Sequence, residues 1–323
     1  MVDNAGKADG ANGAGGPPQA APVPVPVRVH SLLHTNLNTV NVAASASFYG
    51  DLLGLTPGMK TARTAADGKG LGVEGAPVTE CWFLYDHRGP RAAPAVEALE
   101  WETPATLGEH PQEPHHIGIS SLGFAVPSLD AARAEAARLG RPWRELEAWP
   151  LRGRTVDAAR VTDTDGVPVE LMERPGKAPV FSHLRINVTD LGASVAWYER
   201  LGFTAETTAS AVKTADGATL SCASLVIGED PSFSLELTQW EDPKGIGTAL
   251  SPAYHHGLYR IALGVEDARE AYEALADPEL RAPEFVELPG TKLGGVVVLF
   301  LHDPDGVVVE LVGRSRSHIR REG

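Results

Sequence analysis

Cysteine is almost absent: the 323 residues hold two, Cys81 and Cys222. Two thiols cannot make the framework that stapled secreted domains depend on, so a reducing compartment is expected and both are read as small apolar fillers in strands. Positive charge is scarce as well. Lys and Arg total 28 against 42 Asp and Glu, for a net charge of −14, and the basic residues are scattered, which excludes nucleic acid or an anionic membrane surface as a partner. No apolar run nears the roughly 20 residues that span a bilayer, and no charged-then-apolar leader opens the chain, so a cytoplasmic location is the expectation. GxxxxGK[ST] loops, GxSxG elbows and CxxC pairs are missing too. Nucleotide hydrolysis, serine-hydrolase chemistry and structural zinc therefore have no support, and nothing indicates a nicotinamide cofactor.

Large apolar side chains are lacking from residues 1–26, which are rich in Ala, Gly and Pro. Such a segment buries too little surface to offset its ordering entropy, and a disordered tail is expected there. The remaining length suits two domains, 27–176 and 177–314, with a basic tail over 315–323.

What is present is a repeat. His34 to Leu55 (HTNLNTVNVAASASFYGDLLGL) and His183 to Phe203 (HLRINVTDLGASVAWYERLGF) share one plan: a histidine on a strand, an Asn or Asp turn, then a helix ending at Leu-Gly. Alternation puts His34, Asn36 and Asn38 on one strand face, and His183, Arg185 and Asn187 on the matching one. Asn41 and Asp190 are the expected helix N-caps, and Gly54 and Gly202 the C-terminal glycines. Strand-like runs follow at 80–86 and 94–104, and again at 220–227 and 232–243; aligning Trp101 with Trp240 brings Glu97 onto Glu236. A second strand-helix unit comes next in each half, and each half closes on the same phrase, DTDGVPVELME (163–173) or DPDGVVVELVG (303–313), which carries Glu170 or Glu310. Four βαβββ modules result. A single helix covers one face of each sheet, and two modules side by side would curl their bare faces into a cleft.

Taken together, the His strand, the Phe-Tyr or Trp-Tyr helix, the Leu-Gly turn and the closing DxDGxxxEL resemble the vicinal oxygen chelate superfamily of glyoxalases, bleomycin-binding proteins and extradiol dioxygenases. The resemblance covers nearly everything from Val29 to Val312, twice. It implies an α+β fold of paired βαβββ modules, each pair an open curled mixed sheet around a cleft, and four ligand positions per domain. Carried over, these are His34, Glu97, Ser121 and Glu170 in the first half, and His183, Glu236, Arg260 and Glu310 in the second. The third position, usually His in metal-dependent members, is Ser121 or Arg260.

The resemblance therefore implies a divalent metal (Fe, Mn, Ni, Co or Zn) on His34, Glu97 and Glu170, with His183, Glu236 and Glu310 as second-half equivalents. Glu97 or Glu170 would move a proton, and Ser121, Asn36 and Arg260 would contact substrate. Arg260 beside two carboxylates also reads as a self-compensating cluster in place of a cation. Another arrangement within the family builds the site from the first and fourth modules, which would group His34 and Glu97 with Arg260 and Glu310. The loop histidines His115, His116, His255 and His256 are expected to be solvated. The implied activity is isomerase, epimerase, lyase or dioxygenase chemistry on a small oxygenated molecule, by a monomer or homodimer. Metal-free sequestration of a small molecule is the competing class.

Overall fold

A computed structural model describes residues 27–320. The tail expected over 1–26 and the last residues of the basic tail lie outside the described residues. Four modules follow one another. The first is β1 (Ser31–Thr39), α1 (Val42–Leu53), β2 (Thr56–Lys60), the short β3 (Thr64–Ala65), β4 (Val78–Tyr85) and β5 (Ala95–Thr103). The second is β6 (Gly118–Val126), α2 (Leu129–Arg138), β7 (Trp143–Leu151), β8 (Arg154–Thr162) and β9 (Pro168–Glu173). The third is β10 (Val180–Asn187), α3 (Leu191–Arg200), β11 (Phe203–Lys213), β12 (Thr219–Ile227) and β13 (Asp230–Asp242). The fourth is β14 (Gly257–Val265), α4 (Ala268–Leu275), β15 (Glu284–Leu288), β16 (Gly294–His302) and β17 (Val308–Gly313).

The helix starts are fixed where the sequence places them. Asn41, Ser128 and Asp190 accept from first-turn amides through their side chains, and Gly54 takes the left-handed conformation (φ 70°) that ends α1. At the closing turns the Asp163 carboxylate accepts the amides of Asp165 and Val167, and Asp303 does the same for Asp305 and Val307. These turns aim Glu170 and Glu310 along the strands that follow.

Module pairing decides where the site lies. One sheet runs β15-β16-β17-β14-β1-β5-β4-β2, with β3 on β4; the other runs β11-β12-β13-β10-β6-β9-β8-β7. The first and fourth modules thus share a sheet through the antiparallel β1/β14 seam, and the second and third through β10/β6. Each half of the sequence holds two complete modules, but those two do not share a sheet. One buried cluster beneath both sheets takes Phe48, Ala132, Tyr198 and Ala268 from the four helices, with Leu84, Leu122, Leu184 and Leu311 from the strands. Covering one face of each sheet this way leaves the other face to form a cleft.

The helix tyrosines lock module to module. Tyr49 donates to Asp163 at 2.7 Å and Tyr198 donates to Asp303 at 3.1 Å, each reaching the closing turn of the following module. Packing alone accounts for their rings; the hydroxyl partner is what the sequence reading lacked. Among the described residues no helix is long and apolar enough to cross a membrane.

Candidate functional site

The pairing redistributes the expected ligands. Glu170 does not join His34 and Glu97, because β9 belongs to the other sheet; Glu310 on β17 takes that place. Likewise Glu310 does not join His183 and Glu236. The two clusters are His34, Glu97, Arg260 and Glu310 on one sheet, and His183, Glu236, Ser121 and Glu170 on the other.

In the first cluster His34 Nε2 stands 3.4 Å from both Glu97 Oε2 and Glu310 Oε2. Its ring meets Phe83 edge-on, with centroids 5.2 Å apart, which fixes its direction. Arg260 lies across the two carboxylates: Nη2 donates to both oxygens of Glu97 at 2.9 and 3.0 Å, and Nε is 2.6 Å from Glu310 Oε1. Burial alone would raise the Glu310 carboxyl, but Arg260 and His34 outweigh it and hold the group below its usual range. Burial opposes the Arg260 charge in the same way, and Glu310 and Glu97 overcome it. The arginine stays charged.

This cluster is not saturated. Arg260 Nη1 is buried with no hydrogen-bond partner among the described residues, and His34 Nε2 is held only by the two long carboxylate contacts at 3.4 Å. Both side chains border a cavity of about 90 Å³, walled by Leu33, Met59, Tyr85, Val286, Leu293 and Val296, with Arg314 also on its lining. Asn36, expected at substrate, is wholly buried level with Glu97 in the β1/β5 register, and both ends of its amide lack partners among the described residues. An orphaned buried donor costs on the order of 1–3 kcal/mol, so Arg260 Nη1 favours anything that brings it an acceptor.

The second cluster is more nearly filled, with His183 Nε2 3.5 Å from Glu170 Oε2. Arg185, the β10 counterpart of Asn36, is among the most deeply buried large side chains of the chain, 1% exposed. It donates to Glu170 through Nε and Nη2, to Thr238 through Nη1 at 2.9 Å and to the Pro150 carbonyl at 3.0 Å. Glu170 also accepts from Ser121 at 2.9 Å, Trp149 at 3.0 Å and Arg160 at 3.1 Å. Burial pushes Glu170 up, yet Arg185, His183 and Arg160 together hold it well below the usual carboxylate range. Ser121 therefore supports a carboxylate instead of meeting substrate. Glu236 is spent on Ser224 and Ser234, at 2.7 and 2.6 Å. His183 packs so close to β6 that a Cβ on Gly123 would fall 2.1 Å from its Nε2, a contact only glycine permits.

Whether either set fits a divalent ion follows from these contacts. In the first a guanidinium already neutralises both carboxylates that a metal would need, and in the second Arg185 takes Glu170 while two serines take Glu236. Among the described residues no three His, Cys, Asp or Glu side chains group so as to hold one. The donor sets do not fit a divalent metal in this arrangement, whichever of Fe, Mn, Ni, Co or Zn is considered.

Of the four loop histidines one is buried and three are half-buried. His256 is buried and donates to Asp165 at 2.9 Å, while His255 and His116 hold main-chain carbonyls through Nδ1, and His115 packs on Trp240. The two aligned tryptophans hold these loops in place. Trp101 donates to Asn38 at 2.9 Å and Trp240 to Asn187 at 3.0 Å, and each asparagine then donates to two loop carbonyls. The recurrence of Asn38 and Asn187 with the two tryptophans was the signal available for this. Cys81 and Cys222 are buried; burial pushes Cys222 up to about 11 and Cys81 higher than usual, the latter with help from Glu97.

Structural neighbours include glyoxalase I from Zea mays, at 21% identity and TM-score 0.63 over 89% of this chain and 92% of that one. A point mutant of that enzyme aligns similarly, at 21% identity and TM-score 0.64, covering 87% and 92%. A candidate dioxygenase from Bacillus subtilis aligns at 11% identity and TM-score 0.60, covering 88% and 86%. At these identities the likeness is one of fold. No curated protein sequence matches the chain. The family model described as Glyoxalase/Bleomycin resistance protein/Dioxygenase superfamily matches residues 31–171 and again 180–311. Two matched copies, four βαβββ modules and two curled mixed sheets agree, and the chain belongs to the glyoxalase/bleomycin resistance protein/dioxygenase superfamily.

Proposed function

We propose that the chain is an enzyme that moves a proton on a small, largely apolar oxygenated molecule, in the cleft between the first and fourth modules. The carrying observation is that Arg260 Nη1 is buried without a hydrogen-bond partner among the described residues and that Arg260 and His34 border one apolar-walled cavity. A carbonyl oxygen of the substrate would accept from Arg260 Nη1. His34 Nε2 would then take a proton from the adjacent carbon, the electron pair would move onto the oxygen, and the guanidinium would stabilise the enolate as its charge develops. Glu97 and Glu310 flank His34 and would steady the imidazolium that forms. Return of the proton to the neighbouring carbon, with the substrate's hydroxyl proton passing to the first oxygen, gives an isomerisation. A buried guanidinium thus supplies the positive charge that a divalent ion would otherwise bring.

Sequestration without turnover is the second reading, favoured by the cavity's mostly aliphatic walls. Proton exchange separates the two. In D2O, a panel of 2-hydroxy ketones and 1,2-dicarbonyls is followed by NMR for protein-dependent exchange of the proton next to the carbonyl. Exchange that vanishes in His34→Ala, while that variant still binds the compound, supports the enzyme. Tight binding without exchange in the native protein supports sequestration, and neither exchange nor binding overturns both.

A further inference from the structure

A cavity of about 260 Å³ lies beside the second cluster, to which Arg160 joins it, between the 110–117 loop and the ends of β6, β7 and β8. Its lining is basic. Arg144 and Arg160 face it with His110 and His116, against the single carboxylate of Glu113. Arg160 Nε is buried and has no hydrogen-bond partner among the described residues; His110 Nδ1 likewise has none and lies against Gly257, where a Cβ would fall 2.4 Å from it. His110 is only 5% exposed, and its surroundings keep it uncharged. Burial first, then the neighbouring His256, His116 and His255, lower it to about 3, so at neutral pH it offers a hydrogen bond and not a charge.

Each guanidinium has a prior partner, and the two differ. Arg160 Nη2 holds the buried Glu170 at 3.1 Å, which fixes the arginine in place with Nε unused. Arg144 pairs at 2.7 Å with Asp216 on the β11–β12 turn, where both side chains are about half exposed. A solvent-exposed pair of this kind contributes little and yields readily to another anion. The cavity thus combines one fixed guanidinium, one that can be recruited, and a buried imidazole without a partner.

We propose that this cavity binds a small molecule through an oxyanion, a carboxylate or a phosphate, clamped between Arg144 and Arg160 with His110 as a further hydrogen-bonding group. None of these three side chains belongs to the cluster of His34 and Arg260. Isothermal titration of the full chain with malonate and, separately, with inorganic phosphate tests it, and the two titrations distinguish the sources of the oxyanion. Saturable one-to-one binding of either is expected. Replacing a charged, bidentate-capable donor, Arg144→Gln, is expected to weaken it by on the order of tenfold. Asp216→Asn, which releases Arg144, is expected to tighten it, and His34→Ala to leave it unchanged. Arg144 and Asp216 both lie at the surface, so melting temperatures near that of the native chain should accompany these changes. Absence of saturable binding by both anions, or an Arg144→Gln affinity equal to the native one, would overturn the proposal.

Discussion

Arg260 and Arg185 perform one task from two different strands. Arg260 projects from β14 to bridge Glu97 and Glu310, whereas the β14 counterpart in the other sheet carries Ser121 and the guanidinium comes instead from Arg185 on β10. Where β1 could have supplied an arginine to the first cluster, it carries Asn36. Both clusters end up with a buried cation among carboxylates. Arg185 has every nitrogen engaged, whereas Arg260 Nη1 has no partner among the described residues, and this difference separates the two buried cations.

Replacing the bridging cation with a ligand should change what the first cluster holds. In Arg260→His the set becomes two imidazoles and two carboxylates, a composition that suits divalent transition metals. The variant is expected to bind Ni, Co or Zn near one per chain where the native chain does not, as read by titration calorimetry. A variant as metal-free as the parent would count against the assignment of Arg260 to the cation position.

The second cluster should be structural. Arg185→Met leaves Glu170 buried with only part of its compensation and is expected to cost about 3–5 kcal/mol, the range for breaking a buried pair by removing one partner. Urea denaturation reads this as a lower midpoint. Adding Glu170→Gln should recover part of the loss, since no uncompensated carboxylate then remains. No recovery would mean that Arg185 acts through packing against Trp149, whose ring centroid its guanidinium carbon approaches to 4.9 Å.

Stability should depend on pH in two opposite ways. Burial, then the charge of Asp165, pushes Asp163 from its ordinary value of 3.8 up to about 7, and burial pushes Asp303 up to about 6. A carboxyl raised on folding contributes stability that is complete below 3.8 and is lost as pH rises toward about 7. Glu170 and Glu310 are lowered on folding, so their contribution is present above the ordinary carboxylate value and fades as pH falls. Asp163→Asn, compared with the native chain by urea midpoint at pH 5 and pH 8, should show a smaller decline toward pH 8. An unchanged decline would refute the role given to Asp163.

The tryptophan-asparagine pairs carry the loops. Trp240→Phe leaves Asn187 Oδ1 buried without its donor while Asn187 still holds the Pro114 and His116 carbonyls. The expected cost is about 1–3 kcal/mol, that of an unsatisfied buried acceptor, measured by thermal or chemical unfolding. A change within error of zero would show that water replaces the indole.

The fold was largely legible because its signals are local. Caps at Asn41 and Asp190, the DxDG turns and the alternating strands all follow from neighbouring residues, and a twofold repeat of such signals implies four modules. The site was legible only as a set of positions. His34, Glu97 and Glu310 could be named; grouping Glu170 with His34 assumed that adjacent modules share a sheet, while the alternative pairing of first and fourth modules grouped His34 and Glu97 with Arg260 and Glu310, as found. Nothing near either residue encodes the β1/β14 seam, which depends on long-range pairing of Ser31–Asn38 with Gly257–Gly264. Arg185 was missed for a related reason. It lies two residues beyond His183 on the expected polar face, and its partner Glu170 becomes visible only once β9 and β10 join the same sheet.

Arg260 serves as the resident cation beside His34, and the most direct test of this is the metal content of untagged protein purified without chelator. The measurement should be repeated after reconstitution with Fe(II), Mn, Co, Ni and Zn, beside His34→Ala and Glu310→Ala. Far less than one metal per chain is expected in every sample. Near-stoichiometric metal in the native protein that both substitutions abolish would contradict the assignment of Arg260 to the cation position.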